Sequence, residues 1–351
     1  MPDLIVDDLV IDAFTLAREG AGNPDHRLRP ALARLLGLAE AEITGITVLK
    51  RSVDARRSGR PKLLYRVRAG VARLPPGRVA ADDHPVAGLY DNLTVRAEAP
   101  DQPLVVGCGP AGLFCAWLLA RAGRRPLLLE RGRDVERRAS DLAAFHASRV
   151  LDPESNYLVG EGGAGTYSDG KLHTRLRDPR VACVLDALVA ARAPAHIRWR
   201  AHPHIGSDIL PHVVRRLREQ ILAWGGTVRF GASVASLRIE AGRCAGVVLA
   251  DGSVIAAPAT VLAVGHSARP LIRHLAEAGV AHTAKGWQLG CRIEHPQAVV
   301  DQGRWGCSTV RPVLGAAEYQ LVSRPRAAAT VTSFCMCPGG AIMVDSGDPG
   351  Q

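Results

Sequence analysis

Three glycines and one carboxylate carry the strongest chemical signal in this sequence. Gly107, Gly109 and Gly112 follow a short apolar run at Leu104–Val106 in the spacing Gly-x-Gly-x-x-Gly. A helical pattern then runs to about Arg121, and a second apolar run, 126–129, ends at Glu130. This strand–turn–helix–strand context makes the glycines a dinucleotide-binding fingerprint. Gly107 permits a tight turn, Gly109 lets the backbone approach a pyrophosphate, and Gly112 lets the helix pack close to the strand. Pro110 and Ala111 open the helix, whose first N–H groups and positive dipole end favour phosphate. Glu130, eighteen residues after Gly112, stands where a carboxylate would bind ribose hydroxyls, and Arg131 beside it joins the candidate cofactor residues. A carboxylate at that position repels a 2′-phosphate, so FAD or NAD is expected rather than NADP.

A second glycine cluster spans residues 160–171 and reads Gly-Glu-Gly-Gly-Ala-Gly-Thr-Tyr-Ser-Asp-Gly-Lys. Such a run is poor material for a helix or strand. It suits backbone lying flat against a ligand with its N–H groups turned to an anion or a ring edge. Gly162, Gly163, Gly165 and Thr166 are therefore candidate cofactor residues, against the alternative of a plain surface loop. Gly265 and His266 follow a later apolar strand and are expected to pass near the same cofactor.

Acid–base candidates are His204, His266, Glu294 and His295. Arg292, Glu294 and His295 form either a polar cluster facing the cofactor or an ion-paired strand edge. Cys335 and Cys337, two apart, would share one face of a strand. They read as a redox pair, a nucleophile, or two packed thiols. Their spacing is not Cys-x-x-Cys, and no second Cys/His pair completes a zinc site, so no metal is expected. The catalytic assignment is His295, Glu294, Cys335 and Cys337.

The elements that must position these groups follow from length and pattern. At 351 residues, 47% hydrophobic and 4% aromatic, the chain fits an α/β protein with two or three units. The net charge is +10, but the basic residues are dispersed, and nucleic acid is not the expected partner. Eight irregularly spaced cysteines argue against a disulfide framework, the acidic N-terminus argues against a signal peptide, and no apolar stretch predicts a membrane span. A cytoplasmic protein is expected.

Residues 1–72 read as a small α+β unit. It has a helix containing Leu28, Leu32, Leu35 and Leu36, and strands at 43–49 and 63–71 joined by a basic turn. Residues 73–103 form a linker rich in Pro, Gly and Asp. Residues 104–278 are the nucleotide-binding domain, with helices at 179–192 and 208–224, a third parallel strand at 227–230, an antiparallel excursion over 237–255, and a fourth parallel strand at 258–265. Residues 131–138 are expected to start a charged surface helix. Residues 279–351 form a substrate-side domain. A β-meander crossover between the third and fourth strands favours FAD over NAD. The predicted fold class is α/β: a Rossmann-like three-layer FAD/NAD(P)-binding domain with a meander, a small N-terminal α+β unit and an incomplete substrate-side domain.

Several separated motifs carry a family resemblance: 107–114, 153–156, 160–171, 203–208, 265–269, 292–297 and 334–340. Together they resemble a bacterial family of FAD-dependent dehydrogenases, and the similarity extends to the N-terminal unit. The resemblance implies FAD held by Gly107, Gly109, Gly112 and Glu130. The function expected is hydride exchange between flavin and an organic small molecule, with a nicotinamide or other electron partner. It also implies a closing segment of the FAD domain beyond Gln351, so the chain is expected to be a C-terminally truncated member. Two other readings stay open at this level: a flavin-containing RNA-binding or RNA-modifying protein docking through its basic N-terminal unit, and an inactive nucleotide-binding fragment.

Overall fold

A computed structural model describes residues 1–20, 24–56, 60–81, 101–168, 170–172, 174, 176, 178–324, 329–333, 336–338, 340 and 342. The chain folds as two compact units. The first comprises Met1–Pro85, Arg198–Pro203 and Leu289–Met343; the second comprises Val86–Ile197, His204–Gln288 and Val344–Gln351.

The first unit opens with β1 (Asp3–Asp12) and α1 (Ala13–Arg18), then α2 (Leu28–Leu36), β2 (Ile43–Asp54) and β3 (Lys62–Val71). The strands pair antiparallel in the order β1-β3-β2. The acidic N-terminal run, a segment whose charge masks its pattern, is itself a strand. Leu4, Val6, Leu9 and Ile11 are buried, and the alternation skips one step where Asp8 adopts a positive φ of 55°. That irregularity is a bulge between Val6 and Leu9, which keeps both apolar pairs on the core face. On β3, Leu63, Tyr65, Val67 and Ala69 are buried beneath α2 residues Leu32 and Leu36. The opposite face carries Arg66 and Arg68, which pair with Asp7 at 3.1 Å and Asp3 at 3.6 Å.

The second unit is built on four parallel strands: β4 (Leu104–Val106), β5 (Leu127–Leu129), β6 (Thr227–Arg229) and β10 (Thr260–Leu262), in the order β10-β4-β5-β6. The helices are α3 (Pro110–Arg121), α4 (Val135–Ser148), α5 (Arg180–Ala190), α6 (Leu210–Ala223) and α7 (Arg269–Glu277). Between β6 and β10 the chain makes the antiparallel meander β7 (Val234–Glu240), β8 (Arg243–Leu249) and β9 (Val254–Ala256). Alternation along the short parallel strands feeds two cores. Val105 and Leu128 pack with α3, α5 and α6 residues such as Trp117, Leu188 and Leu217. Leu104, Val106 and Leu129 face the meander through Val234, Val247 and Leu249, and Leu271 of α7. Helices on one face and a meander on the other make the expected three-layer Rossmann-like arrangement.

Two further helices, α8 (Gln297–Trp305) and α9 (Arg311–Leu314), return to the first unit. Their residues Val300, Trp305, Val313 and Leu314 lie in the same buried cluster as Leu4, Leu32 and Tyr65. Segment 198–203 joins them: Arg51 N–H donates to the Trp199 carbonyl, and Ala201 N–H to the Arg51 carbonyl. The N-terminal sheet therefore shares its core with residues more than two hundred positions away. Periodicity alone does not reveal this.

Candidate functional site

The glycine turn sits at the carboxyl end of β4, where the strand order switches sides between β5 and β10 and such sheets leave a crevice for ligands. Each glycine does a different job. Gly107 has φ of 100°, and a side chain there would begin 2.5 Å from the Ala263 carbonyl oxygen. A side chain on Gly112 would begin 1.8 Å from the Gly107 oxygen, so α3 can lie on the strand only without one. At Gly109 nothing among the described residues lies within 4 Å of that position. Pro110 and Ala111 after it are exposed. The first N–H groups of α3 have no acceptor within the helix, and Pro110 removes the one it would have left bare. Open space over Gly109, in front of a helix dipole, fits a dinucleotide pyrophosphate.

Glu130 is 6% exposed and ties the turn from below. Its Oε2 accepts from Cys108 N–H at 2.8 Å and its Oε1 from Gly132 N–H at 2.9 Å. The carboxylate thus holds the turn in shape. Arg131 is engaged nearby, pairing with Glu154 at 3.1 Å and donating to the Pro153 carbonyl at 2.9 Å.

The second glycine cluster comes to rest on the first. Gly162 N–H donates to the Cys108 carbonyl at 2.8 Å, and a side chain on Gly163 would begin 3.2 Å from the Gly109 Cα. Residues Gly163–Gly165 form a single 3-10 turn entered through Gly162 at φ 78°. Thr166 is buried, and its hydroxyl donates to the Glu161 carbonyl at 3.0 Å, so it serves the loop itself. Gly132 and Gly160 also meet backbone to backbone, with a Gly132 side chain starting 2.6 Å from the Gly160 Cα.

Two charged residues of this region escape sequence reasoning. Arg138, expected on a charged surface helix, is fully buried. It fills one face of α4 with Val135, Leu142 and Phe145, at helical spacing. Its guanidinium donates to the carbonyls of Asn156, Tyr157 and Glu161 and lies over the Tyr167 ring. The expectation fails because three carbonyls of one loop supply the partners that a buried cation needs. Glu161, between two glycines, is equally buried and faces Arg218 of α6 at 3.2 Å. Burial pushes its carboxyl up to about 7, against the opposing pull of Arg218. Burial first, then the Glu161 and Glu130 carboxylates, push the Cys108 thiol well above its ordinary range. A charge flanked by glycines in a packed loop is the only local hint.

The remaining sequence candidates fall on two stretches: the loop after β10, just past the Ala263 and Val264 backbone that abuts Gly107, and the segment 294–337. Gly265 has φ 66° and is exposed, as is His266. Glu294 and His295 belong to the first unit. Both are exposed; Glu294 accepts from the Ile342 N–H, and His295 stacks on Tyr319 at 5.6 Å. Cys337 is exposed, and Cys335 lies outside the described residues. The basic hairpin is partly neutralised within itself: Arg56 holds Asp54 through both carboxylate oxygens.

Comparison with known proteins agrees with this geometry. Residues 105–158 match the NAD(P)-binding Rossmann-like domain, and residues 286–351 match the family described as FAD-dependent protein, C-terminal domain-like. Residues 14–70 match a domain of unknown function. An uncharacterised protein of Clostridium beijerinckii is 36% identical over 330 residues, 92% of this chain and 62% of its own length. The chain thus spans about three-fifths of that relative. The thiamine thiazole synthase of Aeropyrum pernix is 26% identical over 212 residues, covering 56% of this chain and 66% of its own. Among solved structures, the THI4 protein of Thermovibrio ammonificans overlaps 52% of this chain and 64% of its own at a TM-score of 0.35 and 17% identity. The second unit defines a Rossmann-like nucleotide-binding protein. The Rossmann-like match over 105–158 and the match over 286–351 to the C-terminal domain-like family of FAD-dependent proteins support FAD as the cofactor. Among the described residues, no helix is long and apolar enough to cross a membrane, and no group of three or more His, Cys, Asp or Glu gathers as a metal site.

Proposed function

We propose that the chain supplies the cofactor-binding part of a FAD-dependent oxidoreductase that exchanges a hydride with a small organic substrate. The observation that carries this reading is the contrast at the turn. Gly107 and Gly112 are closed by packing, whereas Gly109 opens onto the N-terminus of α3 with Glu130 bracing it from behind. In this reading Gly109, Pro110, Ala111 and the helix N-terminus hold the pyrophosphate, Glu130 binds the ribose, and Gly162, Gly163 and Gly165 lie along the cofactor. Bound flavin would supply the hydride chemistry. The protein's residues orient it, exclude water and provide a proton acceptor. Glu294, His295 and Cys337 are the proposed acid–base and thiol groups, with Cys335 beside them in sequence. A nicotinamide is the proposed electron partner.

The test is an absorbance spectrum of the purified chain before and after incubation with FAD, beside Glu130→Ala. A flavin spectrum that weakens in the variant supports the site. A folded wild-type chain that takes up no flavin refutes it.

A further inference from the structure

Glu161 is a buried acid with half of its carboxyl satisfied. Its Oε2 accepts from Val135 N–H, at the start of α4, at 2.9 Å and faces Arg218 Nη1 at 3.2 Å. Its Oε1 is buried and has no hydrogen-bond partner among the described residues. The loop that carries it is docked on the dinucleotide turn at both following residues, Gly162 against Cys108 and Gly163 against Gly109.

Burial disfavours the ionised form of this carboxyl, and Arg218 and the Val135 N–H offset that only in part. From α4, Glu136 and the capping residue Asp134 add negative potential, and Tyr167 lies within the same field. Arg218 is shared with Glu136, which it meets at 2.9 Å. Arg138, the other cation, spends its donors on three carbonyls. On the far side, the Cys108 thiol lies within the field of both Glu161 and Glu130.

We propose that Glu161 is a proton-coupled positioning residue for the dinucleotide, taking up a proton when an anionic pyrophosphate occupies the turn against which its loop is docked. This rests on the assignment of Gly107–Gly112 as the cofactor site. The coupling is electrostatic and acts through the loop, because the side chain has no exposed surface to touch a ligand. A second negative charge arriving in front of a buried carboxylate favours its neutral form, more strongly than in water because the medium between them is poorly screening. Burial already brings this carboxyl to about 7 in the free protein, so a modest further push is felt near neutrality. By linkage, a ligand whose binding takes up a proton binds more tightly at lower pH.

The experiment is calorimetric titration of the full chain with FAD, from pH 6 to 9, in two buffers of different ionisation enthalpy. The expected result is fractional proton uptake above pH 7, with the dissociation constant rising about three- to tenfold per pH unit there. Glu161→Gln, neutral at every pH, should bind FAD with a flat profile and no uptake. Arg218→Met, which removes a countercharge, should move the onset of uptake to higher pH, and this arm decides the matter if the glutamine variant does not fold. Binding without proton uptake in the wild type overturns the inference alone. So does uptake that persists in Glu161→Gln, or a profile unmoved by Arg218→Met. Absence of FAD binding at every pH overturns the cofactor assignment and this inference with it.

Discussion

Gly162 donates its backbone N–H to the Cys108 carbonyl at 2.8 Å, joining two separate glycine clusters of the chain. The dinucleotide turn is therefore a two-ply structure. One ply is the fingerprint turn, and the other is a loop held by buried charges.

Gly109 and Gly112 should respond in opposite ways to alanine. At Gly109 the new methyl meets nothing and φ is an ordinary −72°. Gly109→Ala should keep the thermal midpoint while weakening FAD binding by about tenfold or more, the cost of crowding a phosphate by roughly 1.4 kcal/mol. Gly112→Ala places carbon 1.8 Å from the Gly107 oxygen. It should lower stability by about 1–3 kcal/mol or more through overpacking, whether or not cofactor is present. Denaturant melts with and without FAD distinguish the two.

Glu130→Ala removes the acceptor for two buried N–H groups, Cys108 and Gly132. Stability should fall by about 1–3 kcal/mol, the usual cost of buried donors left bare. Glu130→Gln retains one acceptor and should fall between the alanine variant and the wild type. An alanine variant as stable as the wild type would show that the turn holds its own shape.

Arg138→Met should be among the most damaging single changes in the second unit. It strips donors from the carbonyls of Asn156, Tyr157 and Glu161. A loss of about 3 kcal/mol or more is expected from the broken buried network. Arg138→Lys should recover little, because an ammonium cannot reproduce the planar fork. Urea denaturation with flavin-free protein measures this directly.

Stability should depend on pH in two windows. The Glu161 carboxyl is raised to about 7 in the folded state from an ordinary value of 4.5. The folded chain then holds a proton that the unfolded chain has released, so this group's stabilising contribution declines as pH rises from about 4.5 to 7. Asp101 and Asp178 behave oppositely. Hydrogen bonds from Arg125 and Arg180 hold them down to about 2. Their contribution is present above about 4 and is lost as pH falls toward 2. Thermal melts of the wild type and Glu161→Gln from pH 4 to 8 should diverge in slope between pH 5 and 7. Parallel curves would contradict this.

Trp305 should matter to the N-terminal sheet although it lies far along the chain. It is 4% exposed in one cluster with Leu4, Leu32 and Tyr65, and its indole N–H donates to the Gly315 carbonyl at 3.2 Å. Trp305→Ala should destabilise the first unit by about 3–5 kcal/mol. A fragment of residues 1–81 should show no cooperative unfolding.

The sequence by itself determined the elements whose signals are local. The three glycines, the helix from Pro110 and the carboxylate at 130 specify a turn through steric permission and short-range periodicity, and every one of them reads off adjacent residues. Strands β2 and β3, helix α2 and the meander follow from the same alternation and spacing. β1 escapes notice because four aspartates interrupt a strand whose apolar residues alternate only across a bulge. What tertiary structure alone decided is where charge may be buried. Arg138 looks like a surface residue until the carbonyls of Asn156, Tyr157 and Glu161 supply its partners, and nothing beside Glu161 in the chain announces that Arg218 will face it. The union of α8 and α9 with the N-terminal sheet is decided the same way. A short apolar helix records that it needs a partner, but only the assembled core determines which one.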